Sequence, residues 1–187
     1  RMAFPFLGLS FRDDALERGN PAAAWAIAGA VPAVTLCFAG GNIGNGPGWW
    51  VVVFCGLLST GGLFALWAIL VSAGLAEAVA VDRDLAAGIR LAGFLVACSL
   101  VLGRSVAGDW TSAGDAVRDF AARSWPVLPM LAVEIAILRL TLPRPERPLA
   151  RPWTAGVLPA VGYLVVATVV LALLGPWTYV PTAGGGP

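Results

Sequence analysis

Residues 84–108 read DLAAGIRLAGFLVACSLVLGRSVAG. From Gly88 to Ala107 the only charged side chains are Arg90 and Arg104, one near each end. As a helix rising about 1.5 Å per residue, such a run crosses the ~30 Å hydrocarbon core of a bilayer. It is continuously apolar and lacks the alternation that an outer-membrane strand needs. Four more runs of the same kind flank it, at residues 21–39, 49–75, 126–142 and 154–176. The second is long enough to tilt. The fourth is the shortest and carries Glu134. The composition of the 187 residues agrees: 58% are hydrophobic, 12% charged, and mean hydropathy is +0.81. Soluble domains carry about 25% charged residues. The chain therefore has too few surface residues for a water-soluble globule and too many apolar ones for disorder. The sequence predicts an all-α polytopic membrane bundle of about five transmembrane helices.

Slid back by 64 residues, the quoted stretch falls on residues 20–44, NPAAAWAIAGAVPAVTLCFAGGNIG. Seven of the 25 pairs are identical, among them Ala22/Ala86, Ala28/Ala92, Gly29/Gly93 and Gly44/Gly108. Each copy starts at a polar residue, runs through a helix of small residues to a polar loop, and is followed by a second apolar run. Two spans bring the chain back to its starting side, so the copies are parallel repeats. The organisation expected is an interfacial segment (1–19), repeat one (20–81), repeat two (82–143), an Arg/Pro-rich link with the fifth helix (144–177), and a flexible tail (178–187). The apolar start of the first segment is alternatively the tail of a preceding helix. Residues 13–18 read as a short polar helix, with Asn20 capping the first span and Pro21 at its first position. Gly29 with Ala33, and Gly93 with Ala97, are small residues four apart, which let membrane helices approach closely. They predict that spans one and three meet along these grooves, about a pseudo-twofold axis along the membrane normal. The competing reading is that they face lipid.

The stretches Glu17-Arg18-Gly19-Asn20-Pro21-Ala22-Ala23-Ala24 with Ala28-Gly29, and Asp82-Arg83-Asp84-Leu85-Ala86-Ala87-Gly88 with Ala92-Gly93, running on to Gly103-Arg104-Ser105-Val106-Ala107-Gly108-Asp109, carry a resemblance. They resemble the YjfL-like family of bacterial inner-membrane proteins of unknown function, over roughly residues 12–140. The resemblance implies tandem two-helix repeats and brings no reaction, substrate or catalytic residue. The fifth span departs from the pattern, as a degenerate half-repeat or an addition.

All 12 basic residues are arginines, and there is no histidine. Nine arginines fall on the side of the N-terminus and three (Arg104, Arg118, Arg123) on the other. The positive-inside rule then predicts a cytoplasmic N-terminus and an external C-terminus in a bacterial inner membrane. Trp49, Trp50, Trp110, Trp125 and Trp177 fall near the outer interface, Trp25 and Trp153 near the inner one, and Trp67 falls mid-span. The first 20 residues hold no cleavable apolar core, so no signal peptide is expected. Without histidine there is no histidine-ligated haem, no His-containing zinc site and no His general base. Cys37, Cys55 and Cys98 lie in apolar runs and read as small hydrophobes. Net charge is +1, which leaves no footprint for nucleic acid.

Ionisable residues inside a span are functional candidates. Three readings of Glu134 stand open: an ion pair with Arg104 inside the bundle, a protonatable carboxylate on an ion path, or a protonated acid bonded to a backbone carbonyl. The loop at residues 40–48 reads as a tight external turn or as an anion-binding nest. Asp109 to Arg123 reads as a short amphipathic surface helix, and Asp115 with Asp119 gives weak support for a metal. The arginines of the link, Arg144, Arg147 and Arg151, read as a topology signal or as contacts for anionic headgroups or an acidic partner. The function expected is therefore non-enzymatic: an accessory or structural subunit of a larger membrane complex, or a homo-oligomeric scaffold. No catalytic residue, metal or cofactor is expected, although a pigment or quinone held by apolar contact alone stays possible. The alternative is a small ion or proton channel or transporter using Glu134, with Arg104, Thr35, Ser99, Ser59 and Thr60 as its remaining polar lining.

Overall fold

A computed structural model describes residues 8–142 and 151–175. The described chain is all-helical, 81% helix with no strand. Its helices are α1 (Pro21–Gly40), α2 (Trp49–Ser72), α3 (Leu85–Val106), α4 (Ala113–Ser124), α5 (Val127–Thr141) and α6 (Leu158–Leu173). Short π-helical turns, Phe11–Glu17, Glu77–Val81 and Pro152–Val157, precede α1, α3 and α6. Four helices are long and apolar enough to cross a membrane: α1, α2, α3, and α6 with its π turn. A fifth crossing requires α4 and α5 taken together, bent by 48°. The fourth expected span is α5 by itself, and its 15 residues reach only about 22 Å. The link at 144–150, the apolar start at 2–7 and the tail lie outside the described residues.

The helix starts follow local chemistry. The side chain of Asn20 accepts hydrogen bonds from Ala22 N (3.0 Å) and Ala23 N (3.3 Å), and Pro21 takes the first helical position. Asp84 accepts from Ala86 N at 2.9 Å. The segments leading in match as well. Arg18 N donates to Asp13 O and Asn20 N to Asp14 O. The same bonds recur 64 residues on, from Asp82 N to Glu77 O and from Asp84 N to Ala78 O. Gly19 has φ +57° and Arg83, at the matching position, φ +54°. Only glycine takes the left-handed region without steric cost, so Arg83 holds a strained turn that Gly19 makes freely.

α3 is the centre of the bundle. α1 lies parallel to it on one side and α6 on the other. At Gly29 an added Cβ would collide with the backbone of Ala92, and at Gly88 with the backbone of Ala22. This is backbone-to-backbone packing, available only where a side chain is missing. α1 and α3 therefore meet, but α3 brings Gly88 and Ala92 to the contact in place of the expected Gly93, and the pair is not related by a twofold axis. A twofold would set Gly93 against Ala28. Ala28 is exposed instead, and a Cβ on Gly93 would collide with Ala160 of α6. Gly156, in the third π turn, presses on Ala86. The contact pairs Ala22/Gly88 and Gly29/Ala92 thus reappear as Ala86/Gly156 and Gly93/Ala160. The first partner has moved by 64 residues and the second by 68. α6 sits on α3 as α3 sits on α1, a head-to-tail succession. Ala33 and Ala97 are fully buried within it.

The hairpin ends close around the same axis. Ser59 Oγ on α2 donates to Cys37 O on α1 at 2.9 Å. At the far end Gly108 N donates to Ile43 O (2.9 Å) and Trp110 N to Asn45 O (2.8 Å). Trp110 packs edge-on against Trp50 and Phe54. α4 has no buried residue and is a surface helix capped by Ser112. Trp67 is buried mid-helix, while Trp25, Trp49, Trp125 and Trp153 stand exposed near helix ends.

Overpacking costs about 1–3 kcal/mol. We therefore expect Gly29→Ala and Gly93→Ala each to lower thermal stability in detergent by that order, read by circular dichroism. Gly61→Ala, whose Cβ meets open space, is the control and should leave stability unchanged or slightly raised. Melting of both variants like the wild type would exclude the close packing. Asp84 gives a second expectation. Burial pushes its carboxyl above the ordinary value, against the opposing pull of the Ala86 and Ala87 amides and of Arg90. A raised folded-state pKa adds stability at acid pH that disappears as pH rises through it. Asp84→Asn keeps the cap, as Asn20 does, and removes the charge. It should melt at or above the wild-type temperature at neutral pH, with the gap closing in acid. Asp84→Ala should lose about 1 kcal/mol at neutral pH with the cap.

Candidate functional site

The buried polar centre lies where α3, α5 and α6 converge. Glu134 is the midpoint of α5, Arg90 sits in the second turn of α3, and Tyr163 in the second turn of α6. Arg90 and Glu134 have no solvent exposure at all. Arg90 Nε donates to Glu134 Oε1 at 2.8 Å and to Oε2 at 3.0 Å. Tyr163 OH donates to Oε2 at 2.8 Å. Arg90 Nη1 donates to the carbonyl of Ala155, in the π turn before α6, at 2.6 Å. Phe94, one turn beyond Arg90, packs edge-on against the Tyr163 ring at 5.6 Å. Both carboxylate oxygens are engaged, and one guanidinium reaches two other helical elements. Burying an ion pair is costly unless its remaining lone pairs and protons find partners, and nearly all do here. Arg90 Nη2 is the exception, buried without a partner among the described residues.

The partner of Glu134 is therefore Arg90, not Arg104. Arg104 lies fourteen residues further along α3, about 21 Å away, and donates from Nη2 to the carbonyls of Leu174 (3.3 Å) and Gly175 (3.5 Å). The carbonyl-bonded acid is also not what forms, because the hydrogen-bond partners of Glu134 are a guanidinium and a phenol. Of the other polar residues of the spans, Thr60 has a buried hydroxyl with no partner among the described residues, and the rest named above are spent locally. Thr35 Oγ1 donates to Val31 O, Ser99 Oγ to Val96 O, and Ser59 Oγ to Cys37 O and Cys55 O. The glycine loop does not present an open nest at Asn45, whose amide donates to the Asp109 carboxylate at 2.8 Å. Asp115 accepts from the Ser112 and Thr111 hydroxyls, and Asp119 pairs with Arg123 at 3.1 Å.

Sequence reasoning missed Arg90 and Tyr163 as site residues. A signal for Arg90 was present. It shares a helical face with Phe94, Ala97 and Val101, the buried face of α3. It lies five residues inside the helix, not at its edge. Tyr163 carried no comparable signal, because one tyrosine in an apolar run reads like any other.

No family model matches the chain, and neither a curated protein nor a solved structure does.

Removing one member of a buried ion pair typically costs about 3–5 kcal/mol, because the other charge is left uncompensated. We expect Glu134→Leu and Arg90→Leu each to lose on that order. The double variant should recover much of the loss, giving a strongly favourable coupling in a double-mutant cycle read by thermal unfolding. The same cycle between Glu134 and Arg104 should give a coupling near zero.

Proposed function

We propose that the chain is a non-enzymatic integral membrane protein, acting as an accessory or structural subunit of a larger membrane complex or as a homo-oligomeric scaffold. The observation that carries the reading is the closed Arg90–Glu134–Tyr163 cluster. Its carboxylate is clamped by two donors, so its role is to tie three helices together, leaving no free base or acid for chemistry. Most serines and threonines of the spans bond to backbone carbonyls, and Thr60 Oγ1 is buried without a partner among the described residues. The outer faces of α5 and α6 are apolar and exposed, with Leu128, Leu140, Val165 and Leu173 prominent. Such faces suit lipid or neighbouring helices.

The same proposal sets the protein in a bacterial inner membrane, N-terminus inside. With the buried Arg90 and Arg104 set aside, five of the seven remaining described arginines (Arg12, Arg18, Arg83, Arg139 and Arg151) lie on the side where α1, α3 and α6 begin. The likeness to the YjfL-like family belongs to the proposal too. It is supported by the 64-residue recurrence of the cap hydrogen bonds. A second reading, ion or proton movement through Glu134, has one observation in its favour, the buried and unpartnered Arg90 Nη2 beside the carboxylate.

Extraction from native membrane in mild detergent tests the choice. We expect a stoichiometric protein partner or a discrete homo-oligomer, and proteoliposomes without ion flux. A monomer that conducts protons, and loses conduction in Glu134→Gln while staying folded, would replace this reading with transport.

A further inference from the structure

α5 and α6 are neighbours that barely touch. Their one strong link is the Tyr163–Glu134 hydrogen bond at the floor between them. Above that floor they leave an apolar groove of about 480 Å³, walled by Val133, Ile137, Leu158, Gly162 and Val166, with Tyr163 at its base. No segment of the described chain fills it. Its walls are mostly bulky and β-branched, whereas helices that pack against each other in membranes do so through small residues. The groove is therefore a poor seat for a helix and a good one for a flexible hydrocarbon chain.

Charge supplies the second half of the argument. The groove ends at Leu158, the first residue of α6. Arg151 lies seven residues earlier, about 10 Å further toward the membrane surface. It is exposed, and its guanidinium has no ion pair or hydrogen bond among the described residues. Trp153 beside it is exposed as well, as an interfacial anchor should be. No acidic residue occurs between Glu146 and the end of the chain. An apolar slot in the hydrocarbon region, with an exposed arginine unpaired among the described residues near the membrane surface, matches a single amphiphile of negative charge.

We propose that the α5–α6 groove holds an acyl chain of an anionic phospholipid, with the headgroup phosphate met by Arg151 in the leaflet where α6 begins. The site goes beyond the scaffold role and does not depend on it. Lipid bound there fills the gap between two helices that the described residues leave unpacked.

Native mass spectrometry in mild detergent, titrating the full chain with phosphatidylglycerol or phosphatidylcholine, tests this. The wild type should retain one phosphatidylglycerol with a preference of about fivefold over phosphatidylcholine, the factor one arginine near a charged interface contributes. Gly162→Phe adds a ring at the groove wall, at a position where an added Cβ meets nothing within 4 Å. It should lose the bound lipid while keeping wild-type helicity and melting in detergent. Arg151→Gln should level the two lipids without disturbing the fold. Equal retention by Gly162→Phe and the wild type, or no headgroup preference in the wild type, overturns the proposal. So does conversion of a wild-type dimer to a monomer by Gly162→Phe, which would make a second copy the occupant.

Discussion

α3 must be approached at backbone distance from both sides, and the rest of the structure is arranged around that constraint. In lipid, apolar side chains gain little by leaving one apolar surroundings for another. What holds helices together is close van der Waals contact and the few polar bonds that have nowhere else to go. α3 meets α1 through Gly88 and Ala92, meets the π turn before α6 through Ala86, and meets α6 through Gly93. The two faces lie on different sides of one helix. This is why α3 is the most buried element and why α1 and α6 each keep an open flank.

The head-to-tail succession has a consequence for charge. With α6 drawn onto α3 at Gly156, the π turn brings the Ala155 carbonyl to Arg90, and Tyr163 stands one helical face away from Phe94. α5 is short and enters the core through Val127, Met130, Leu131 and Leu138. The guanidinium of Arg90 adds a polar tie at its midpoint, Glu134. The cost of burying the pair is offset by its being shared among three helices.

Much of this was legible in the residues. The run from Asp84 shows a helix start, a membrane-length apolar stretch and a glycine groove in twenty-five letters. Asn20 and Pro21 announce the start of α1, whereas the surface helix read over Asp109 to Arg123 begins later, at Ala113 with Ser112 as its cap. Glu134 stood out as a charge in an apolar run. Its partner did not, because two arginines on one helix were both available and pairing depends on depth and rotation. Arg90 passed for a topology charge at a span edge until α3 was seen to begin at Leu85. The recurrence of contacts on α6 was hidden for another reason. A displacement of 68 in place of 64, with Val161 where glycine stood, blurs the letters while the backbone spacing persists.

The sequence by itself determined the medium and the elements: hydrocarbon outside, helices of membrane length, their caps and their loops. These depend on composition and on neighbours within one turn, where local chemistry suffices. The tertiary structure alone decided which faces meet, that the bundle propagates head to tail instead of closing on a twofold, and that Arg90 takes Glu134 while Arg104 turns to the carbonyls after α6. Those outcomes depend on rotation about helix axes and relative depth, which no single segment encodes. Small residues permit close approach on any side, and the helix that arrives there selects the side.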